Sequence, residues 1–241
     1  MAQITFSNTI GVPEEFKPTP ASVSIPDWYK NLESYIGGAK KPSGQGNTTG
    51  TIKRCMPVFD VITAGYILYT HTDIFVSQKP MLDAEGNETG KTVPWYEWGS
   101  YDPIAWHPIE QAPTHPGRGS LETSYPKFNN PWAIKTPKGY SVLFTKPMHR
   151  ESVFTILDGI VDTDEYDAPV NFPFVLNDWG FEGLIPAGTP LAQVIPFKRE
   201  NWKMEIGTQE HLIAQQKTTN YLRTSFFDSY KNKFRKPKEY K

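Results

Sequence analysis

Cysteine is almost absent from this chain, in which Cys55 is the only thiol among 241 residues. A single Cys excludes an intramolecular disulfide framework and a metal cage built from several thiolates. This suits a reducing compartment, or a fold that needs neither device. We expect Cys55 to be a small buried residue.

Long apolar runs are also missing. No window of about 18 apolar residues occurs, so the sequence holds no candidate for a membrane-spanning helix. The first residues, MAQITFSNTIGVPEEF, lack the basic region and apolar stretch of a secretory leader. We therefore expect a soluble chain that is not secreted.

The motifs of several enzyme classes do not occur. No G-x-S-x-G marks a serine nucleophile, and KKPSGQGNTTG lacks the G-K-[ST] ending of a phosphate-binding loop. Neither H-x-H nor H-E-x-x-H spacing is found among the histidines, which argues against zinc chemistry. They are His71, His107, His115, His149 and His211.

The composition that is present favours a mainly β protein. Hydrophobic residues make up 38% of the chain, and 22 Pro and 18 Gly are too many for long helices. Short runs rich in β-branched and aromatic residues recur, including TIKRCMPVFDV, GYILYT, YSVLFT and VNFPFVL, and DAEGNETG has the composition of a hairpin loop. Such strands predict a sandwich or a barrel.

Three regions follow from changes in composition along the chain. Residues 1–50 are interpreted as an N-terminal arm and flexible linker, and residues 51–202 as the β core. Within the core, residues 79–131 are interpreted as an insertion rich in aromatic residues and Pro. Residues 203–241 are expected to form a C-terminal amphipathic helix and a basic tail, with apolar residues recurring every four positions at Leu222, Phe226, Tyr230 and Phe234.

The basic tail has two interpretations. It carries six cationic residues against Glu239 alone, which is typical either of a polyanion contact or of a solubilising, frayed terminus. The cations are Lys231, Lys233, Arg235, Lys236, Lys238 and Lys241.

An acidic cluster in LDGIVDTDEYDAPVNFPF is the main candidate for chemistry, with five carboxylates between Asp158 and Asp167. The spacing of Asp162, Asp164 and Asp167 is compatible with one hard cation, although the helix–loop–helix calcium pattern is not met. A solvated turn explains the same residues, since Asp and Gly are ordinary turn formers.

Four short stretches resemble the motifs of the trimeric deoxyuridine triphosphatase (dUTPase) family. TAGYILYT (63–70) is similar to the A-G-Y-D-L strand, and HRES (149–152) stands where the R-S phosphate block would lie. GIVDTDEY (159–166) resembles G-V-I-D-x-D-Y, and IPAGTPLAQVI (185–195) resembles the turn and strand K-G-D-R-I-A-Q-L. The resemblance implies a β-clip fold.

The same resemblance implies a set of site residues. Asp162 would be the catalytic carboxylate that orients or deprotonates the attacking water. The ligand-binding candidates are Arg150 and Ser152 for a phosphate, with Asp164, Tyr166 and Gln193. A magnesium cofactor is implied only if the chain hydrolyses nucleotides, and no metal ligands are assigned.

The chain also departs from the dUTPase pattern. Ile67 occupies the position of the acidic residue that helps to hold magnesium, and a hydrocarbon side chain cannot bind a hard cation. Glu165 is an extra residue that shifts Tyr166 out of register. The Gly-rich closing segment of the family has no counterpart in NYLRTSFFDSYKNKFRKPKEYK.

A second resemblance is to a family of proteins of unknown function encoded mainly by tailed phages and prophages. It rests on IPDWYK, CMPVFDVITAGYI, TPKGYSVLFTKPMHR, VNFPFVLNDWGFEG and GTPLAQVIPFKRE. This resemblance brings no known activity with it. With the missing magnesium ligand, the missing Gly-rich closure, the long arms and the basic tail, it favours a non-enzymatic structural or interaction protein in the host cytoplasm or the virion. Its partners would be further copies of the chain, as a homo-oligomer with the trimer favoured, and other phage or host proteins. The alternative is a nucleotide- or small-ligand-binding protein, including a divergent nucleoside triphosphate pyrophosphohydrolase.

Overall fold

The computed structural model describes residues 2–37, 50–111, 125–224 and 228–241. Its contacts divide the chain into two compact units. Unit 1 comprises Met1–Pro20 and Gly65–Arg199, and unit 2 comprises Ala21–Ala64 and Glu200–Lys241. Most of the predicted linker, residues 38–49, lies outside the described residues.

Unit 1 contains the β-strands. In chain order they are β1 (Thr5–Asn8), β2 (Thr19–Pro20), β3 (Tyr66–Tyr69), β4 (Ile74–Leu82), β5 (Glu88–Trp98), β6 (Ile104–His107), β7 (Tyr125–Phe128), β8 (Trp132–Lys135), β9 (Tyr140–Thr145), β10 (Phe154–Ile156), β11 (Gly159–Val161), β12 (Phe172–Leu176), β13 (Gly183–Ile185) and β14 (Pro190–Lys198).

These strands form four antiparallel sheets. Their orders are β1-β8, β10-β12-β7-β6, β11-β9-β14-β3-β2 and β13-β4-β5. The mainly β class predicted from the sequence is confirmed. Barrel closure, one of the two predicted forms, is not found in the part of the chain that is described.

Aromatic packing holds the core of unit 1. The rings of Phe128 and Phe174 stack with centroids 4.0 Å apart, and Phe154 lies 4.7 Å from Phe128. In the middle strands of the five-stranded sheet, the side chains of Ile67 and Val194 are fully buried. The continuous apolar runs of β3 and β14 therefore reflect burial rather than a surface strand.

The predicted hairpin loop is confirmed between β4 and β5. Asp83 Oδ1 accepts hydrogen bonds from the backbone N–H of Glu85 at 3.0 Å and of Asn87 at 2.8 Å. Gly86 has a φ of 88°, a conformation that Gly adopts without steric cost, and this is why a Gly in this stretch predicts a turn. The interval interpreted as an insertion, 79–131, supplies the last four residues of β4 and all of β5, β6 and β7 to these sheets, and its residues 112–124 lie outside the described part.

Unit 2 contains the helices α1 (Asp27–Asn31), α2 (Met56–Ile62), α3 (Gln209–Thr224) and α4 (Ser229–Lys233). The strand predicted in TIKRCMPVFDV is wrong, because α2 occupies that stretch. Pro57 sits in the first turn, where a helix tolerates it, and Ile62 is fully buried, so packing overrides the β propensity. Cys55 precedes α2 and is exposed, which corrects the expectation that it is buried.

The C-terminal helix exists but is not continuous. α3 is followed by α4, and Asp228 at the start of α4 has a left-handed φ of 69°. Phe226, one of the four apolar positions used in the prediction, lies outside the described residues.

The frayed-terminus interpretation of the tail is wrong, because Arg235 and Lys238 both bind Asp60, at 2.7 and 3.0 Å.

Within the described residues, no helix is long and apolar enough to cross a membrane.

Candidate functional site

The acidic cluster forms a tight turn directly after β11. The backbone N–H groups of Glu165 and Tyr166 donate to the carbonyl of Asp162 at 3.0 and 2.9 Å. This turn, residues 162–167, is called the acidic turn below. It follows the edge strand of the five-stranded sheet.

Asp164 points into the protein, where its side chain is only 1% exposed. Arg199 donates to both of its carboxylate oxygens, including Oδ1 at 2.7 Å, and the backbone N–H of Gly139 donates to Oδ2 at 2.8 Å. The Arg199 hydrogen bonds, followed by the Gly139 hydrogen bond, hold the pKa of Asp164 well below its usual range. Asp164 is therefore an ionised internal anchor for the turn.

Asp162 is the open carboxylate of the same group. Its Oδ1 accepts from Ser141 Oγ at 2.6 Å and lies 3.3 Å from Arg199 Nη1, yet its side chain is 63% exposed. A carboxylate fixed on one side and open to solvent on the other can orient a water molecule. This is compatible with the role that the dUTPase resemblance implies.

Arg199 is the residue that the sequence analysis missed. It lies 35 positions beyond Asp164, immediately after β14. The sequence feature that could have revealed Arg199 is a cation after the apolar run LAQVIPF. Its position at the end of a strand does not specify which carboxylate it binds.

Gln193 does not face the acidic turn within one chain. It is fully buried, and its Oε1 accepts from the backbone N–H of Met148 at 2.9 Å. Gln193 pairs with Thr145 at one end of β9, whereas Asp162 contacts Ser141 at the other end. Four residues of strand separate these positions by about 13 Å.

Arg150 and Ser152 lie beside the same small cavity. They line a cavity of about 60 Å³ with Lys146, and Arg150 Nη1 lies 3.4 Å from the carbonyl of Met148. Burial lowers the pKa of Arg150. The lining of this cavity also includes Glu151. Because the backbone N–H of Met148 also donates to Gln193, the predicted site residues divide into two groups, one at the acidic turn and one around this cavity.

Asp164, Asp167 and Tyr166 each have a separate partner and do not point to one common cation site. Asp167 lies 3.9 Å from Lys135, while Asp164 is bound to Arg199. The hydroxyl of Tyr166 lies 3.4 Å from the carbonyl of Pro169. Over the described ranges, no group of three or more His, Cys, Asp or Glu residues is arranged to hold a metal ion.

A different feature, not identified from the sequence, follows the β core. The side chains of Trp202, Met204 and Ile206 are 88%, 85% and 79% exposed, and their segment belongs to no helix or strand. We call residues 202–206 the apolar arm. Its sequence WKMEI alternates apolar and charged residues, which is the pattern of a half-buried strand and the signal that could have revealed it.

Unit 1 also presents an exposed apolar surface, which we call the sheet face. Leu184 of β13 pairs with Phe75 of β4, and both side chains are about half exposed. Trp95 of β5 lies two positions along the same face, opposite Ser77, and Lys79 Nζ lies 3.8 Å from the centre of its ring.

The comparisons with known proteins add no family to this description. No protein-family model matches the chain, and no curated protein matches its sequence.

Proposed function

We propose that this chain is a non-enzymatic structural or interaction protein of the phage type, built on a β-clip-like core, that acts by assembling with further copies of itself. The observation that carries the proposal is the apolar arm. Its three large side chains remain between 79% and 88% exposed in the single chain. Single exposed apolar residues are ordinary, whereas a consecutive alternating set indicates a contact surface.

Energetics favours burial of this arm. Full burial of one large apolar side chain stabilises by about 1.5–3 kcal/mol, so three would contribute about 5–9 kcal/mol. An extended segment with apolar residues at every second position suits addition to a sheet, where one side packs and the other stays in water. Lys203 and Glu205 occupy that second side.

The partner that fits best is a second copy of this chain. Each copy carries both the apolar arm and the sheet face of Phe75, Trp95 and Leu184. The arm presents on the order of 500 Å², so an arm on a sheet face would bury about 1,000 Å² in total, the lower limit for a specific interface. Contacts of this heterologous type form a ring when the rotation between copies closes, and a trimer is the ring that the dUTPase resemblance implies.

The β-clip assignment rests on where the motif-like stretches lie. The first stretch forms β3, the third leads from β11 into the acidic turn, and the fourth leads into β14. All of these strands belong to one five-stranded sheet. Shared placement in one sheet supports a common ancestry with the trimeric family more than the short motifs do alone.

Light scattering coupled to gel filtration tests the assembly function. The wild-type chain, whose monomer mass is 27.4 kDa, is expected at three times that mass. The triple variant Trp202→Ser, Met204→Ser, Ile206→Ser is expected at the monomer mass with unchanged circular dichroism. Val23, which is 69% exposed outside the arm, provides the matched control Val23→Ser, expected to stay assembled. A monomeric wild type, or a triple variant of unchanged mass, would contradict the proposal.

A second candidate function, binding of a small phosphate-bearing ligand, is supported by the cavity that Lys146, Arg150 and Ser152 line. A thermal-shift titration with inorganic phosphate and deoxynucleoside triphosphates tests it. A ligand at about 100 times its dissociation constant adds roughly 2.7 kcal/mol of stability. The expected shift disappears in Arg150→Gln, and the absence of any shift in the wild type excludes this function.

A further inference from the structure

Unit 2 contains a groove made of two adjoining cavities of about 330 and 300 Å³. The cavities share four lining residues, Arg54, Met56, Asp228 and Lys231, so they lie side by side. Each cavity has the volume typical of a small-molecule site. We call this space the unit 2 groove.

The charge of the groove is positive. Asp228, the carboxylate of its lining, is already paired with Arg54. Lys53 Nζ donates to the neutral carbonyl of Lys30 at 2.7 Å, so its charge is not balanced there. Lys231 is exposed and, among the residues that are described, is paired with no carboxylate. Two ammonium groups are therefore available to an anion.

Aromatic rings line the same space. Tyr35 lies under the guanidinium of Arg54, 4.5 Å from its ring centre, and Tyr230 is 43% exposed. In the second cavity Phe59 packs near Tyr29, with ring centroids 6.1 Å apart. Alternating rings and cations are the combination that binds stacked bases and their phosphates without sequence preference.

We propose that the unit 2 groove binds a base–phosphate unit, with the phosphate against Lys53 and Lys231 and the base against the aromatic rings. The same chemistry is offered by a free nucleotide and by single-stranded nucleic acid. This site is independent of the apolar arm and of the cavity at Arg150.

The groove also changes which residues of the basic tail we expect to contact a polyanion. Arg235 and Lys238 are engaged with Asp60, and Lys233 Nζ lies 3.6 Å from the ring centre of Tyr221. These three cations serve contacts within unit 2. Of the tail cations, Lys231 lines both cavities of the groove, and Arg235 lines the second but is engaged with Asp60.

Fluorescence anisotropy of the full chain with a labelled oligothymidylate of about twelve nucleotides tests the site. Each neutralised phosphate of a single strand contributes about −0.7 to the slope of log K against log salt. We expect a wild-type slope of about −1.4 for two lysines, reduced to about −0.7 in either Lys53→Gln or Lys231→Gln. Lys236, an exposed tail lysine outside the groove, gives the matched control Lys236→Gln with an unchanged slope.

Competition with thymidine monophosphate identifies the source of the ligand. Displacement of the labelled strand by the mononucleotide assigns the groove to free nucleotides, and retention of the strand assigns it to nucleic acid. The proposal is overturned if neither ligand binds at low salt. It is equally overturned if Lys236→Gln reduces the magnitude of the slope as much as Lys231→Gln does, since any exposed lysine would then account for the binding.

Discussion

Arg199 determines what the carboxylates of the acidic turn do. It binds Asp164 through both oxygens and lies within 3.3 Å of Asp162, so the crowded negative charges are offset by a guanidinium. One carboxylate becomes a buried anchor and the other stays open to water. The sequence showed the carboxylates but not their partner, because pairing over 35 positions depends on the sheet that joins β9 to β14.

Replacement of Asp164 by Asn is expected to destabilise the protein at neutral pH, because the amide loses the ionic contact with Arg199. The folded pKa of Asp164 lies below its unfolded value of about 3.8. Its contribution is therefore present above about pH 4 and is lost as pH falls through the folded pKa. Urea unfolding from pH 7 to pH 2 should show a difference between wild type and Asp164→Asn that shrinks below pH 4.

Asp167 supplies the control for this comparison. Its side chain is 73% exposed and 3.9 Å from Lys135, and exposed pairs contribute about 0–1 kcal/mol. At neutral pH, Asp167→Asn should change the unfolding free energy by less than about 1 kcal/mol. An Asp164→Asn variant as stable as Asp167→Asn would show that the anchor role is incorrect.

His71 gives a second pH dependence. Its ring is 4% exposed, and burial lowers its pKa, an effect that the nearby Tyr101 backbone partly offsets. Below about pH 6.5 the His71 side chain binds a proton more readily in the unfolded chain than in the folded chain. The contribution of His71 to the free energy of unfolding is therefore fully present above that pH and decreases below it. His71→Phe should remove up to about 1.4 kcal/mol per pH unit of this loss between pH 6.5 and 5. Parallel wild-type and variant profiles would contradict the assignment.

At the scale of elements, the strands were the easier part to predict. GYILYT, YSVLFT and VNFPFVL contain β3, β9 and β12, because β-branched and aromatic residues in short runs bounded by turn formers rarely suit another structure. α2 was missed because its composition is that of a strand and only packing makes it helical. The apolar pattern from Leu222 to Phe234 predicted one helix, but the left-handed backbone of Asp228 interrupts that helix.

Gly65 shows why one of the motif-like stretches needs its glycine. Its φ is 67°, and a Cβ there would stand 1.9 Å from the carbonyl oxygen of Val194 in β14. The close approach at the start of β3 is thus open only to Gly. Gly65→Ala should reduce the unfolding free energy by about 3 kcal/mol or more, measured by urea denaturation.

Gly86 separates the two causes of that loss. It has a φ of 88° with no atom within 4 Å of an added Cβ, so Gly86→Ala bears only the backbone strain of about 1–2 kcal/mol. Equal losses for the two variants would mean that the contact with Val194 relaxes freely.

At the scale of the whole molecule, assembly with further copies is a prediction from the sequence, and the structure adds a candidate segment for it. The most exposed large apolar side chains among the described residues are in the short WKMEI stretch before the C-terminal helix. The sequence alone did not single out this stretch, because the exposure of a side chain depends on contacts distant in the chain. The division into two units was likewise not predicted, because residues 1–20 join unit 1 through β1 and β2, which pair with β8 and β3.

Disulfide trapping between copies tests the central claim most directly. In a Cys55→Ser background, one preparation carries Met204→Cys in the arm and a second carries Leu184→Cys on the sheet face. Mixed and mildly oxidised, they should give a covalent pair containing one chain of each kind, since a disulfide requires Cα atoms within about 7 Å. Replacing Met204→Cys by the exposed control Val23→Cys should give none. The account is contradicted if the mixture yields no arm-to-face pair, or yields no more than the control.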